Sequence, residues 1–167
     1  RTIFANKAFR LAAGNTLRFF GVCVPLLVVL SLIIAVLLAG QKRFTQILKS
    51  FFLLPMAIPV ASVVLLWRLL FDDQGLLNHL LHMLSVQTTD WMNTGASFYV
   101  LVISYIWRNL GYDVVLWMAG LSAIPAALYE AAKVDGANCF QKIRYIILPS
   151  LRSTIVILLL FALGGIV

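Results

Sequence analysis

The sequence predicts an all-α protein that crosses a membrane several times, a polytopic helical bundle, and three observations predict it. The composition is 62% hydrophobic and 11% charged over 167 residues, against roughly half apolar and about a quarter charged in an ordinary soluble domain. The apolar residues are gathered into runs, and several approach the ~20 residues that a helix rising ~1.5 Å per residue needs to cross a bilayer. The Lys and Arg residues stand at the ends of those runs, where charge sets the orientation of a membrane protein. The net charge of +7 therefore reads as topology. No basic run with interleaved aromatics points to nucleic acid.

The first span is expected over 19–40, closed by the basic stop Gln41-Lys42-Arg43. The second is expected over 50–71. It contains Pro55 and Pro59, which remove backbone donors and should bend or break the helix near its start; a static kink is the commoner outcome. Trp67 fits an interfacial anchor, and Arg68 can extend its head group to the interface. Residues 72–96 form a polar connection with Asp72, Asp73, Asp90, Gly75 and Gly95. Within it Gly75-Leu76-Leu77-Asn78, with Leu80, Leu81 and Leu84, predicts a short amphipathic helix lying in the interface.

The third span is expected over 97–124, interrupted by Arg108, Asn109 and Asp113. A charge near the middle of a span costs about 2.5–3.5 kcal/mol on insertion scales and usually faces a bundle interior or a water-filled path. Asn109 and Asp113 share a helix face, as do Arg108 and Tyr112, whereas Arg108 and Asp113 diverge. Two readings stay open. Trp107, Arg108, Asn109, Tyr112 and Asp113 line a solute pathway, or they hydrogen-bond to neighbouring helices. A fourth span is expected over 151–167, with Gly164-Gly165 as a close-packing site.

Counting Lys and Arg orients the chain. Lys42, Arg43 and Lys49 follow the first span, and Lys133, Lys142, Arg144 and Arg152 precede the fourth. The middle connection offers only Arg68 with three aspartates. Loops one and three are therefore placed in the cytoplasm and the middle one outside. The N-terminal Arg1, Lys7, Arg10 and Arg18 count the other way. Cys23 and Cys139 lack paired or metal-ligand spacing, and His79 and His82 have no further ligand beside them. Neither a disulfide nor a metal site is expected. The chain opens on Arg1 and ends at Val167 inside an apolar run, so a fragment truncated at both ends is expected.

Residues 125–149 carry the most information. Pro125 can begin a helix, Ala126 to Val134 are mostly good helix formers, and Gly136 supplies a left-handed turn to end it. A second short helix from Asn138 to about Ile146 would place Phe140, Ile143 and Ile147 on one face, with Pro149 stopping it. The product is a helix–Gly–helix hairpin displaying small alanines beside Glu130, whose carboxylate can pair with an arginine of a partner. Asp135 either takes part in that contact, caps the second helix or braces the turn.

At Glu130-Ala131-Ala132, Asp135-Gly136-Ala137 and Leu148-Pro149 the chain resembles the permease subunits of binding-protein-dependent ABC importers, whose EAA loop has this spacing. Ile143 departs from the phenylalanine common there but keeps its apolar character. Weaker pieces in the right order resemble the maltose-type sugar permeases. They are Asn15-Thr16-Leu17, Leu54-Pro55, Ile58-Pro59, Trp67-Arg68-Leu69-Leu70-Phe71, Gly75-Leu76-Leu77-Asn78, Ala119-Gly120-Leu121 and Ile124-Pro125. The resemblance implies a type I importer permease fold in a multi-pass subunit of a bacterial cytoplasmic membrane. It implies that Glu130, Ala131, Ala132, Asp135, Gly136 and Ala137 form a coupling helix docked on an ATPase, and that a carbohydrate or similar solute passes through. The implied partners are two ATPase subunits, a second permease, an extracytoplasmic solute-binding protein and the lipid bilayer. No Gly-x-x-x-x-Gly-Lys-Ser/Thr loop is present, so no catalytic residue or cofactor is expected here, and ATP with Mg belongs to the partner. An ion-gradient-driven secondary transporter is the alternative that the charged third span would suit; it leaves the 125–149 loop unexplained.

Overall fold

The computed structural model describes residues 6–39 and 45–164, apart from the side chains of 45–49 and 163. Arg1, the basic stop Gln41-Lys42-Arg43 and Gly165 lie outside the described residues, as does the side chain of Lys49. Among the described residues every regular element is helical, as the composition predicts. The chain divides into two compact units, one of residues 1–25 and 54–109, the other of residues 26–53 and 110–167.

Helix α1 runs Lys7–Ala39, beginning well before the expected span at 19. Asn6 starts it. Its Oδ1 accepts the backbone N–H of Ala8 at 2.9 Å, meeting a donor that the first turn leaves unpaired. Arg18, one of the charges that counted against the orientation, lies on α1 with its guanidinium 4.6 Å from the Phe98 ring centre. By length and apolarity α1 can cross a membrane alone. The described residues offer up to four crossings if each of three bent helix pairs counts as one.

Where the second span is expected, the chain forms α2, Thr45–Ala57, and α3, Val60–Phe71. Pro55 stays inside α2. The break falls at Pro59, which caps α3 with φ −55° and ψ 138°, because a proline pushes the residue before it out of the helical region. The helices on either side of that break are bent by 97°. Helix α4, Leu76–Met83, is the short helix expected in the connection, and α5 covers Ser97–Ser122. At 26 residues α5 is long enough to span, and the helix over 126–134 that follows is bent from it by 75°.

In the first unit α4 and the turn before it are fastened by Asn78, which is 4% exposed. Its Nδ2 donates to the carbonyls of Asp73 (3.1 Å) and Thr89 (2.9 Å), and more weakly to Asp72 (3.4 Å). Its Oδ1 accepts from Thr89 N (3.3 Å) and Trp91 Nε1 (2.9 Å). Gly75 is required beside it. A Cβ there would stand 2.8 Å from Leu70 O and 2.9 Å from Asp72 N, nearer than side chains tolerate.

In the second unit α6 (Ala126–Val134), α7 (Cys139–Lys142), a π turn (Ile143–Ile147), α8 (Leu148–Ser150) and α9 (Arg152–Gly164) follow in order. Its core gathers Ala35, Val114, Trp117, Met118, Leu121, Ile147, Leu151 and Leu158, all buried. One polar chain threads it. Trp117 Nε1 donates to Ser31 Oγ at 2.9 Å, and that hydroxyl donates back to Leu27 O at 2.6 Å. Helices approach closely at two glycines, as they do in membranes. A Cβ on Gly111 would run into the Phe52 carbonyl, and one on Gly120 would stand 2.7 Å from Leu151 Cδ2. Gly164, expected as a packing site, has open space where a Cβ would lie.

Candidate coupling loop and span polar residues

Residues 125–150 build a self-closed hairpin. Helix α6 spans Ala126–Val134 after Pro125, and it ends in a Schellman motif. Gly136 has φ +70°, its N–H donates to Lys133 O at 3.2 Å, and Ala137 N donates to Ala132 O at 2.9 Å. That left-handed turn is the one expected of Gly136. The next helix begins with a reciprocal capping box: Asn138 Oδ1 accepts from Gln141 N, and Gln141 Oε1 accepts from Asn138 N, both at 2.8 Å. Asn138 therefore caps the second helix and Asp135 does not. Asp135 is instead the C-cap of α6, its N–H donating to Ala131 O at 2.9 Å.

One further expectation for the loop is corrected. Pro149 does not stop the second helix, which passes through it and breaks at Leu151 (φ −96°, ψ 16°). The ring and missing N–H of a proline conflict with the carbonyl four residues back, and the π turn immediately before it widens the coil at that point. Along the row of Phe140, Ile143 and Ile147 burial increases toward the C-terminus. Ile147 is buried, Ile143 is half-buried, and Phe140 is 71% exposed.

Glu130, Ala131, Asp135 and Gly136 are exposed, Ala137 is half-buried, and Ala132 is buried, so the displayed alanine is Ala131. Large apolar side chains stand beside these groups: Val134 at 88% exposure and Tyr145 at 70%, with Phe140. Asp135, Ala131, Lys142 and Tyr145 also edge a shallow groove of about 430 Å³. Burial pushes the Tyr129 phenol above its ordinary pKa. Chemically the loop offers one carboxylate on a short helix, small residues for close approach and an uncovered apolar rim.

The polar residues of α5 are divided between the two units. Trp107, Arg108 and Asn109 belong to the first unit, Tyr112 and Asp113 to the second. Trp107 packs edge-on against Trp67, ring centres 5.7 Å apart. Asn109 Nδ2 donates to Tyr105 O on its own helix at 2.8 Å. Tyr112 meets Phe161 at 5.3 Å. Asp113 is 4% exposed, and its Oδ2 has no hydrogen-bond partner among the described residues, an arrangement that is costly unless something answers it.

Sequence reasoning noticed Gly75-Leu76-Leu77-Asn78 as a pattern but missed what Asn78 does. The available signal was a side-chain amide set among the leucines of a short helix. Ser31, Gly111 and Gly120 carried no local signal, because their roles depend on residues distant in the chain.

A sequence model of the family described as "binding-protein-dependent transport system inner membrane component" matches residues 27–167. The trehalose/maltose transport system permease protein of Thermococcus litoralis is 34% identical over 160 residues, covering 95% of this chain and 54% of that protein. The xylose/arabinose import permease protein of Haloferax volcanii is 33% identical over 165 residues, with 95% and 52% covered. The chain thus spans about half the length of the curated relatives it matches. A crystal structure of a bacterial alginate ABC transporter, in complex with an alginate pentasaccharide-bound periplasmic protein, shares the fold with a TM-score of 0.87 at 27% identity. The match covers 99% of this chain and 59% of that one.

Proposed function

The chain belongs to the binding-protein-dependent transport system inner membrane component family, and from that premise we propose that it is the core of a permease subunit of an ATP-driven importer. It forms part of the path of a carbohydrate or similar solute across the cytoplasmic membrane. Its drive comes from a separate ATPase, and the 125–149 loop is the contact. Glu130, Ala131, Ala132, Asp135, Gly136 and Ala137 make up that contact, with the exposed rim of Val134, Phe140 and Tyr145 beside them. The complete assembly holds two ATPase subunits, a second permease and an extracytoplasmic solute-binding protein. ATP and Mg are bound and hydrolysed on the ATPase, and this chain supplies no catalytic group.

One observation carries the reading. The loop closes its own backbone at both ends, by the Schellman turn at Gly136 and the capping box at Asn138. It nevertheless leaves a carboxylate and several large apolar side chains uncovered. A loop that is rigid yet unsatisfied at its surface fits a groove on another protein. Sugar relatives on both the sequence and structural sides support the solute class. The likeness to a solved ABC transporter favours ATP over an ion gradient as the drive.

Mechanistically, closure of the ATPase on nucleotide displaces the loop. Helix α5 leads directly into that loop, ending at Ser122, so displacement is delivered to the helix bearing Trp107 to Asp113. Trp107, Arg108, Asn109, Tyr112 and Asp113 are proposed to border the pathway in at least one of its two states. Transport is then an equilibrium between states biased by the differential binding of nucleotide and loaded binding protein.

The test is to replace Glu130 by Ala in the full-length subunit and measure co-purification of the ATPase and ATP-dependent uptake. Loss of both, with the subunit still in the membrane, is the expected result. Unchanged association and uptake would refute the coupling role. Asp113→Asn and Arg108→Gln should alter uptake kinetics while ATPase association persists.

A further inference from the structure

Within the first unit, the 72–96 connection and the span residue Trp107 are joined by a continuous row of rings. Trp91 donates its indole N–H to the buried Asn78 at 2.9 Å. The Trp91 ring meets Phe71 with centres 6.1 Å apart at 66°. Phe71 meets Trp67 at 5.4 Å and 35°, and Trp67 meets Trp107 at 5.7 Å and 84°. Each separation lies in the range over which aromatic rings attract, about 4.5–7 Å. Asn78 anchors the outer end, since the same amide holds the backbone of Asp73 and Thr89. The connection is therefore fastened to the helix that leads into the 125–149 loop.

The row also has a reason to possess a second arrangement. Trp67 Nε1 is buried without a hydrogen-bond acceptor among the described residues. A buried donor left unanswered disfavours the state that contains it. Packed elements with two discrete arrangements are the means by which coupling crosses a protein.

We propose that Asn78 and Trp91 are positioning residues that make the 72–96 connection move together with Trp107, so that the nucleotide state of the ATPase is felt at that connection. Coupling of this kind is reciprocal, so a protein docked on the connection acts on the span by the same row. The inference rests on the permease reading above and adds to it the residues that carry the coupling.

The experiment uses the full-length subunit assembled with its second permease and ATPase in lipid nanodiscs. Amide hydrogen exchange of residues 86–96 is measured nucleotide-free and after trapping ADP with vanadate. In the unaltered protein, trapping should change exchange there by at least about threefold. Trp107→Ala, far along the row, should abolish the response to trapping. Trp91→Ala should abolish the response too, while Trp91→Phe, which keeps the ring contact with Phe71, should retain most of it. Asn78→Ala should raise exchange in both states and lose the difference between them. A purely structural clamp predicts a different pattern, with the response surviving Trp107→Ala; that result overturns the proposal. If Asn78→Ala does not assemble, Trp91→Ala and Trp107→Ala decide. Trapped nucleotide is quantified separately. Failure of the unaltered assembly to bind an ATPase or trap ADP would sink the permease reading, whereas trapping without any response at 86–96 sinks only this inference.

Discussion

The 72–96 connection and the 125–150 loop close their helices in the same way and are otherwise built on opposite plans. Helix α4 ends in a Schellman motif, with Ser85 N donating to His82 O at 3.1 Å and Val86 N to Leu81 O at 2.9 Å. Helix α6 ends identically at Gly136 and Ala137. The left-handed residue is Ser85 (φ 58°) in one and Gly136 (φ 70°) in the other. The first segment is then tied inward by the side chain of Asn78. The second is closed by the Asn138–Gln141 box and anchored in its unit's core by Ile147, and it leaves Val134, Phe140 and Tyr145 uncovered. One segment is held by a polar side chain, the other by an apolar one, and both leave large apolar side chains exposed.

The contrast can be broken most directly at Asn78. Asn78→Ala strands the Trp91 and Thr89 N–H groups together with two carbonyls. It should weaken the 72–96 segment by about 2–3 kcal/mol, since a buried polar group without a partner costs about 1–3 kcal/mol. Faster amide exchange over residues 86–93 is the readout; unchanged exchange would mean the segment is held by something other than this amide.

Exchanging the two left-handed residues sharpens the comparison. Gly136→Ser should destabilise the α6 terminus by about 1–2 kcal/mol, the cost of a side chain in the left-handed region, seen as faster exchange at Gly136 and Ala137. Ser85→Gly should act in the opposite direction by no more than about 1 kcal/mol, because removed strain is partly offset by the extra freedom of glycine in the unfolded chain. If both replacements moved stability the same way, the equivalence of the two turns would be wrong.

The smallest effect is a titration. Hydrogen bonds from the backbone of Asn93 and Met92 to the Asp90 carboxylate, 2.9 and 3.2 Å, hold its pKa below the ordinary carboxylate value. A depressed folded value means that the charged form stabilises the turn. That contribution is complete above the unfolded pKa of about 3.9 and fades as pH falls through the lower folded value. Exchange at Met92 and Asn93 should therefore rise on acidification below about pH 4, and Asp90→Asn should remove the dependence.

What could be read locally was read well. Apolar runs and end-placed charge predicted helices and a membrane. Pro125 and Gly136 marked the two ends of α6, because a proline's fixed φ and a glycine's left-handed φ act on the residue that bears them. Pro55 and Pro59 announced a break, though only the structure showed that Pro59 makes it while Pro55 is carried inside α2. The same limit explains Pro149, tolerated because a π turn precedes it. It also explains Asp135, which lost the capping role to an asparagine three residues on, placed so that Gln141 could answer it.

By itself the sequence determined the class of the protein, the register of its α6–Gly136 hairpin and its kinship, all properties of composition, short-range backbone preference and motif spacing. The tertiary structure alone decided which polar groups are satisfied and which are left open. Asn78 became a clamp, Ser31 a partner for Trp117, and Gly111 and Gly120 points of close approach, while Asp113 and the Trp67 indole kept an unanswered atom. The physical reason is distance along the chain. Hydrogen bonding and packing depend on which groups folding brings within a few ångströms, and Ser31 and Trp117 are 86 residues apart.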